Sequence, residues 1–456
     1  MSKDLNKGII LQKSQIFDAD CKVDLESACT VGSGIIRLNE AEKNRALNSF
    51  LSYEDTPQFF IPASGSGSRM FKFLFEWMLD HSANKKEVDA FITALDTFPF
   101  FIELRVNESL DISNKKDVIS ALISENGLNF PAKPKGLIPF HMEEGAVYNA
   151  FQEHVRQAFD LFGGDSVLHF TIQREFESEI SESIQRLGKD NIECMFSYQE
   201  ESSDAFCFDA KGELLEENGE PLRRPAGHGA LLDNLNSIDN DLILIKNIDN
   251  IQHNLKSRLS TETWKISIGL LLNFKSDLKK LIENFSVAAL RDLNKMYQIL
   301  SEEDIAGFNK AKLLTLASRP TRVCGMVKNE GDPGGGPFWI NDKGTVTKQI
   351  IEKAQISDNP TAQRIVKQSS HFNPVFMVVS KSDTNGNILD LDLFKDDSKY
   401  FVVSKSHKGM DVHYRELPGL WNGSMSNWNT IFVEIPLDVF SPVKTINDLN
   451  KEAHQP

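Results

Sequence analysis

Cysteine is scarce and scattered in this chain. Its 456 residues include five, Cys21, Cys29, Cys194, Cys207 and Cys324, with no Cys-x-x-Cys pair and an odd total. That pattern excludes a disulfide framework and suggests no zinc site. Positive charge is also in short supply: Lys and Arg number 50 against 65 Asp and Glu, a formal net charge of −15. Non-specific binding to nucleic acid or to an anionic membrane is therefore disfavoured, and an anionic ligand has to be held by local positive charge. No run approaches the roughly 20 apolar residues of a membrane span, and the opening Met1-Ser2-Lys3-Asp4-Leu5-Asn6-Lys7 lacks the apolar core of a secretory signal. A reducing cytoplasm is the expected setting. What remains is ordinary globular composition, 40% hydrophobic and 25% charged, with length enough for one large core and smaller lobes in a monomer or small homo-oligomer.

Against this background residues 60–70 stand out. The apolar Phe60-Ile61-Pro62-Ala63 feeds Ser64, Gly65, Ser66, Gly67 and Ser68, and the loop ends in Arg69. A loop without large side chains lets backbone N–H groups approach an anion, and an arginine at its exit adds fixed charge, as a polyphosphate requires. Gly/Ser runs of this kind also serve as plain turns. Around the loop, residues 1 to about 55 read as helical, with a capped start at Leu38-Asn39-Glu40-Ala41-Glu42-Lys43. Residues 71 to about 130 read as a helical insertion. From Val167 onward β-branched and apolar runs alternate with helical ones, the pattern of a mostly parallel sheet with covering helices. Lys135 lies on a proline-rich stretch expected to be extended and stiff. Arg223-Arg224-Pro225-Ala226-Gly227-His228-Gly229 is a second glycine turn beside positive charge. Residues 241–250, Asp241-Leu242-Ile243-Leu244-Ile245-Lys246-Asn247-Ile248-Asp249-Asn250, read as a buried strand that ends in acid and amide, which puts Asp249 where ligands of open α/β sheets bind, although Asp and Asn there are common turn residues too.

In these residues the chain resembles the UDP-sugar pyrophosphorylases, nucleotidyltransferases that make UDP-N-acetylglucosamine and UDP-glucose. Residues 64–69 resemble that family's Gly-Gly-x-Gly-Thr-Arg loop, Pro134-Lys135-Gly136-Leu137 its Pro-Lys-Gly motif, and Phe196-Ser197-Tyr198-Gln199 a segment whose glutamine meets uracil. Asp209-Ala210-Lys211-Gly212 resembles the β-turn that follows, Gly227-His228-Gly229 its Gly-His-Gly turn, and Ile248-Asp249-Asn250 the strand end whose aspartate holds magnesium. Further on, Gly325, Glu352 and Asn373 match sugar-pocket positions, and Lys405 a late lysine near the phosphates. The chain is also similar to an uncharacterised bacterial family of its size.

The resemblance implies a Rossmann-like sheet of the GT-A kind, with helices on both faces. It divides the chain into an N-terminal helical segment (1–55), a catalytic domain (56–400) and a small C-terminal α+β region (401–456). It implies a Mg²⁺-dependent transfer between a nucleoside triphosphate, UTP first, and a sugar 1-phosphate. Arg69 and Lys135 would handle phosphates and Asp249 the metal. Ala63, Ser64, Gly65, Ser66, Gly67, Ser68, Gln199 and Gly227 would bind the nucleotide. His228, Gly325, Glu352 and Asn373 would meet the sugar. Two departures matter. Arg69 and Lys135 stand 66 positions apart where the family has a short spacing, and Ala63 and Ser64 replace the first glycines. A glycosyltransferase-like protein and a non-catalytic nucleotide binder remain open on the same fold.

Overall fold

All five residues of the strand Leu242–Lys246 are buried, as a continuous apolar run requires when both faces of a strand are covered. The computed structural model describes residues 3–18, 21–106, 110–189, 191–200, 204–331, 334–342, 344–407 and 410–456. These residues form two units. The first comprises Met1–Glu54, Gln199–Ile243 and Ile266–Ile435; the second comprises Asp55–Tyr198, Leu244–Lys265 and Pro436–Pro456. Two interleaved units thus take the place of the three consecutive domains expected at 1–55, 56–400 and 401–456, because strands far apart in sequence pair with one another.

In the second unit, the strands Gln58–Pro62, Val167–Thr171 and Glu193–Ser197 run parallel in that order, with Phe59 opposite Leu168 and Leu168 opposite Cys194. The end of Leu242–Lys246 lies on the other side of Gln58–Pro62. The helix Ala150–Phe162 is held at its start by a capping box, in which Asn149 accepts from the Gln152 N–H and Gln152 accepts in return from the Asn149 N–H. Four further helices are Lys72–Leu79, Lys85–Thr93, Phe101–Val106 and Lys115–Ile123. Buried Phe71, Phe91, Phe98, Phe100 and Phe130 fasten them, with ring centroids 5.0–6.4 Å apart. The proline-rich stretch is less extended than expected: Phe130–Ala132 and Lys135–Leu137 are single 3₁₀ turns, and the extended backbone lies between them and from Ile138 into the strand Pro139–Glu143.

In the first unit, Gly34–Ile36, Asn429–Glu434 and Thr321–Lys328 are parallel neighbours, and Phe376–Ser380 joins Thr321–Lys328 antiparallel. A separate antiparallel sheet is made by Leu25–Ala28, Gly336–Asp342 and Thr345–Ile351. The expectation of an all-helical start therefore fails between residues 25 and 36. Helices do occupy Lys3–Phe17 and Glu40–Leu51, the latter with the expected Asn39 cap and its Glu42 partner. Between them Leu25 pairs with Ile340 and Ile35 with Phe432, so distant partners override the local periodicity. Mixed α/β structure with mostly parallel strands is the resulting class.

The long helix Arg258–Glu283 meets Glu40–Leu51 at a glycine. A Cβ on Gly269 would stand 1.8 Å from the Ala46 carbonyl oxygen, a backbone atom that cannot swing away. Gly269→Ala is expected to destabilise by about 1–3 kcal/mol or more through overpacking, read as a lower Tm and urea midpoint. An unchanged midpoint would show that the helices separate freely at this crossing.

Candidate active site

Lys135 is anchored before its side chain is considered. Its backbone N–H donates to the Gly65 carbonyl at 2.9 Å, the Gly67 N–H donates to the Lys133 carbonyl at 2.8 Å, and Ser66 and Pro134 form the bridge between these bonds. The Gly/Ser loop and the Pro-Lys-Gly segment are therefore a short two-stranded ladder, and the 65 residues between Gly67 and Lys133 loop out as the layer that carries the helices. Two glycines permit this closeness. A Cβ at Gly67 would lie 2.8 Å from the Phe130 carbonyl oxygen, and one at Gly136 would lie 2.6 Å from the Phe151 ring and 2.9 Å from Ile248.

The same packing fixes the acid. The Ile248 N–H donates to the Pro62 carbonyl at 3.4 Å, so the turn after Leu242–Lys246 is fastened to the strand that delivers the loop. Asp249 follows, and its Oδ2 accepts from Lys135 Nζ at 2.7 Å and from Lys444 Nζ at 3.4 Å. Lys444 reaches it because the Val443 N–H donates to the Asp249 carbonyl at 3.0 Å and the Ser441 N–H to Asn250 Oδ1 at 2.9 Å. With 56% of its side chain exposed against 15% for Lys135, Lys444 is the weaker partner. Burial alone would raise the Asp249 pKa, but the charges of Lys135 and then Lys444 outweigh it and hold the carboxyl below the ordinary range. Burial, helped by Lys444, lowers the Lys135 pKa against the pull of Asp249. Arg69 lies exposed on the 3₁₀ turn Gly67–Phe71 with no ion-pair partner among the described residues. Ala63 is buried beside the sheet, its N–H on the Thr171 carbonyl at 2.9 Å, and the Ser66 and Ser68 hydroxyls bond each other at 2.9 Å. Ser64 is half-buried and Gly65 exposed.

The remaining expected residues belong to the first unit. Gln199 is half-buried. Gly227 has φ +75° and a Cβ there would meet the Glu416 carboxylate at 2.5 Å, so this turn requires glycine. His228 stacks on Trp421 at 4.0 Å between centroids, and its Nδ1 accepts the Leu420 N–H at 2.9 Å. The proton is thus left on Nε2, which faces Glu352 at 3.5 Å. Burial opposes ionisation of Glu352, yet hydrogen bonds from His228 and Trp421 keep its pKa below the ordinary value. Asn373 is less open than a hydroxyl ligand should be. Its amide donates to the Gly325 carbonyl at 2.9 Å and its Oδ1 accepts the Val375 N–H at 3.0 Å, so it braces the strand bearing Gly325. Lys405 is likewise engaged, donating to the Tyr414 hydroxyl at 2.7 Å across a hairpin. The late lysine that reaches Asp249 is Lys444, which the sequence reading missed, as it missed Trp421. Neither has a local signature, since each acquires its role through a contact with a residue far away in the chain.

Over residues 1–455 the sequence matches the family described as domain of unknown function DUF4301. The chain belongs to that family. A comparison with curated proteins finds no significant sequence match. Among solved structures this DUF4301 chain is similar to a uridine diphosphate N-acetylglucosamine pyrophosphorylase from Trypanosoma brucei in complex with an inhibitor. The two are 13% identical, with 98% of this chain and 74% of that one covered and a TM-score of 0.49. It is also similar to a UDP-glucose phosphorylase from Trypanosoma brucei, 12% identical, with 98% and 75% covered and a TM-score of 0.44.

Three residues before Asp249 the DUF4301 chain buries Lys246, whose side chain has one hydrogen-bond partner among the described residues. Lys246 donates to Gln157 Oε1 at 2.9 Å, and burial pushes its pKa down to about 7. In the unfolded chain a lysine titrates near 10.4. Between those values the unfolded state holds a proton that the folded state does not, so this residue makes stability rise with pH from about 7 to about 10. Lys246→Met is expected to be more stable than the parent at pH 7, with the difference shrinking toward pH 10, as measured by urea unfolding at several pH values. A difference that stays constant across that range would contradict a neutral buried amine.

Proposed function

We propose that this chain is a nucleotidyltransferase that joins a nucleoside triphosphate, UTP first, to a sugar 1-phosphate. The observation that carries the reading is the ladder between residues 65–67 and 133–135, which brings a Gly/Ser loop, Lys135 and the strand-end Asp249 together within one unit. These are the elements by which the sequence resembles UDP-sugar pyrophosphorylases. In the reaction a phosphate oxygen of the sugar 1-phosphate attacks the α-phosphorus, the bond to the β-phosphate oxygen breaks, and pyrophosphate leaves with the electron pair. No protein nucleophile is required; positioning and neutralisation of spreading charge do the catalysis.

Roles follow from charge and exposure. Lys135, preset on its ladder, meets the α-phosphate and the attacking phosphate. Arg69, exposed and unpaired, takes the outer phosphates of the incoming triphosphate. Lys444 adds a second cation whose present partner is Asp249. Mg²⁺ fits this donor set. The Asp249 carboxyl is held ionised, and among the described residues its Oδ1 accepts no hydrogen bond. Mg²⁺ commonly takes one or two carboxylates together with substrate phosphates and water. Among the described residues no group of three or more His, Cys, Asp or Glu forms a metal cage, so phosphate oxygens and water would complete the shell. When bound, the ion neutralises charge on the phosphates.

Gln199, able to donate and accept together, suits the imide edge of uracil. Gly227 remains a nucleotide-side candidate, and His228, Gly325 and Glu352 are the sugar-side candidates, with Trp421 stacked on the His228 ring. No described helix is long and apolar enough to cross a membrane, and a cytoplasmic setting goes with this reading.

The test has two stages. UTP, CTP, GTP and ATP with Mg²⁺ are screened for a thermal shift; a nucleotide at one hundred times its Kd stabilises by about 2.7 kcal/mol. Pyrophosphate release is then followed with a panel of sugar 1-phosphates. Asp249→Ala is expected to cut turnover by about 100-fold or more with unchanged circular dichroism. If none of the four nucleotides moves the Tm, the reading is wrong; if Asp249→Ala turns over normally, the metal assignment is.

A further inference from the structure

The first unit contains a cavity of about 230 Å³ that the proposed reaction does not use. Its apolar wall includes Leu300, Phe308, Leu316 and Trp428, and its polar wall includes Arg319 and Thr347. It sits at the amino ends of two parallel strands, because Arg319 precedes Thr321–Lys328 and Trp428 precedes Asn429–Glu434. Ligands of open α/β sheets bind at the carboxyl ends. Thr347 is five residues before Glu352 along Thr345–Ile351, roughly 16 Å at the rise of a strand. The cavity is therefore separate from the His228–Glu352 cluster.

Its wall is electrostatically incomplete. The Arg319 guanidinium is half-buried and makes no hydrogen bond or ion pair among the described residues, and burial lowers its pKa with no carboxylate to oppose the effect. The Trp428 indole N–H, Thr347 Oγ1 and Asn429 Oδ1 are buried polar atoms without hydrogen-bond partners among the described residues, and all three residues line this one cavity. Arginine is the side chain least easily deprotonated, and its fork matches the oxygens of a carboxylate or phosphate. The wall also carries Asp304 and Lys312, so an arginine without an ion-pair partner among the described residues is placed to take an anionic head, while Leu300, Phe308, Leu316 and Trp428 offer apolar surface to the body.

We propose that this cavity binds a small organic anion, an apolar body carrying one carboxylate or phosphate head, with Arg319 holding the head. The size excludes a nucleotide sugar, so the site is a second one for a smaller ligand.

Benzoate and phenyl phosphate, each titrated to 10-fold above the concentration that gives half the maximal effect, serve as probes in thermal-shift and calorimetric titrations of the full chain, and their two arms distinguish the carboxylate from the phosphate head. Saturable one-to-one binding of at least one of them is expected, and Arg319→Gln should weaken it 10-fold or more while leaving the Tm of the free protein unchanged or higher, since that substitution removes an unpaired half-buried charge. Val346→Trp, which fills the cavity from its strand side, should abolish binding independently of charge. If neither probe binds, or if Arg319→Gln binds as tightly as the parent, the proposal is overturned. A large fall in the Tm of free Arg319→Gln would also overturn it, because it would assign Arg319 to the packing of the fold.

Discussion

The ion pair between Lys135 and Asp249 is the contact on which the account depends. It exists because two backbone hydrogen bonds hold Lys135 against the Gly/Ser loop, while a third fastens Ile248 to the strand that leads into that loop. Each partner is costly to bury alone. Asp249 remains ionised because two lysines face it, and Lys135 is depressed by burial despite its partner. Breaking such a pair leaves an uncompensated charge in a desolvated place. On the proposed reading, a polyphosphate would offer negative charge to Lys135 and Lys444, and a divalent ion would find a carboxylate in Asp249. The three side chains satisfy one another in the structure as it stands.

Glycine makes this possible at specific positions. Gly67 and Gly136 lie where a Cβ would strike backbone or ring atoms, so the ladder closes only with hydrogen there. The helical layer between them changes connectivity without changing that geometry. Its buried Phe100 packs on Phe130, which stacks in turn on Phe71, so the residues that flank the ladder meet each other. An insertion that packs on its own two ends returns the chain to the point it left.

How much was legible in the sequence depends on whether the signal was local. The strand Leu242–Lys246, the Asn39 cap and the helical insertion are written in consecutive residues, and the Gly/Ser loop and Pro-Lys-Gly segment were recognisable by type. Their pairing across 66 positions was not readable, because no local rule encodes a bond between the Lys135 N–H and the Gly65 carbonyl. Leu25–Ala28 and Gly34–Ile36 read as helical because their partners, Gly336–Asp342 and Asn429–Glu434, lie hundreds of residues away. Lys444 was overlooked in favour of Lys405 for the same reason: its importance lies in a contact with Asp249, and nothing in its own neighbourhood announces it. Asn373 shows the converse, a residue of suitable type whose amide is already engaged by Gly325 and Val375.

The most direct test of the central claim is a crystal structure of the chain with UTP and Mg²⁺. The account predicts triphosphate oxygens on Lys135 Nζ and on the backbone of residues 64–67, with the ion on Asp249. A nucleotide bound elsewhere, with the Lys135–Asp249 pair intact beneath solvent, would contradict it.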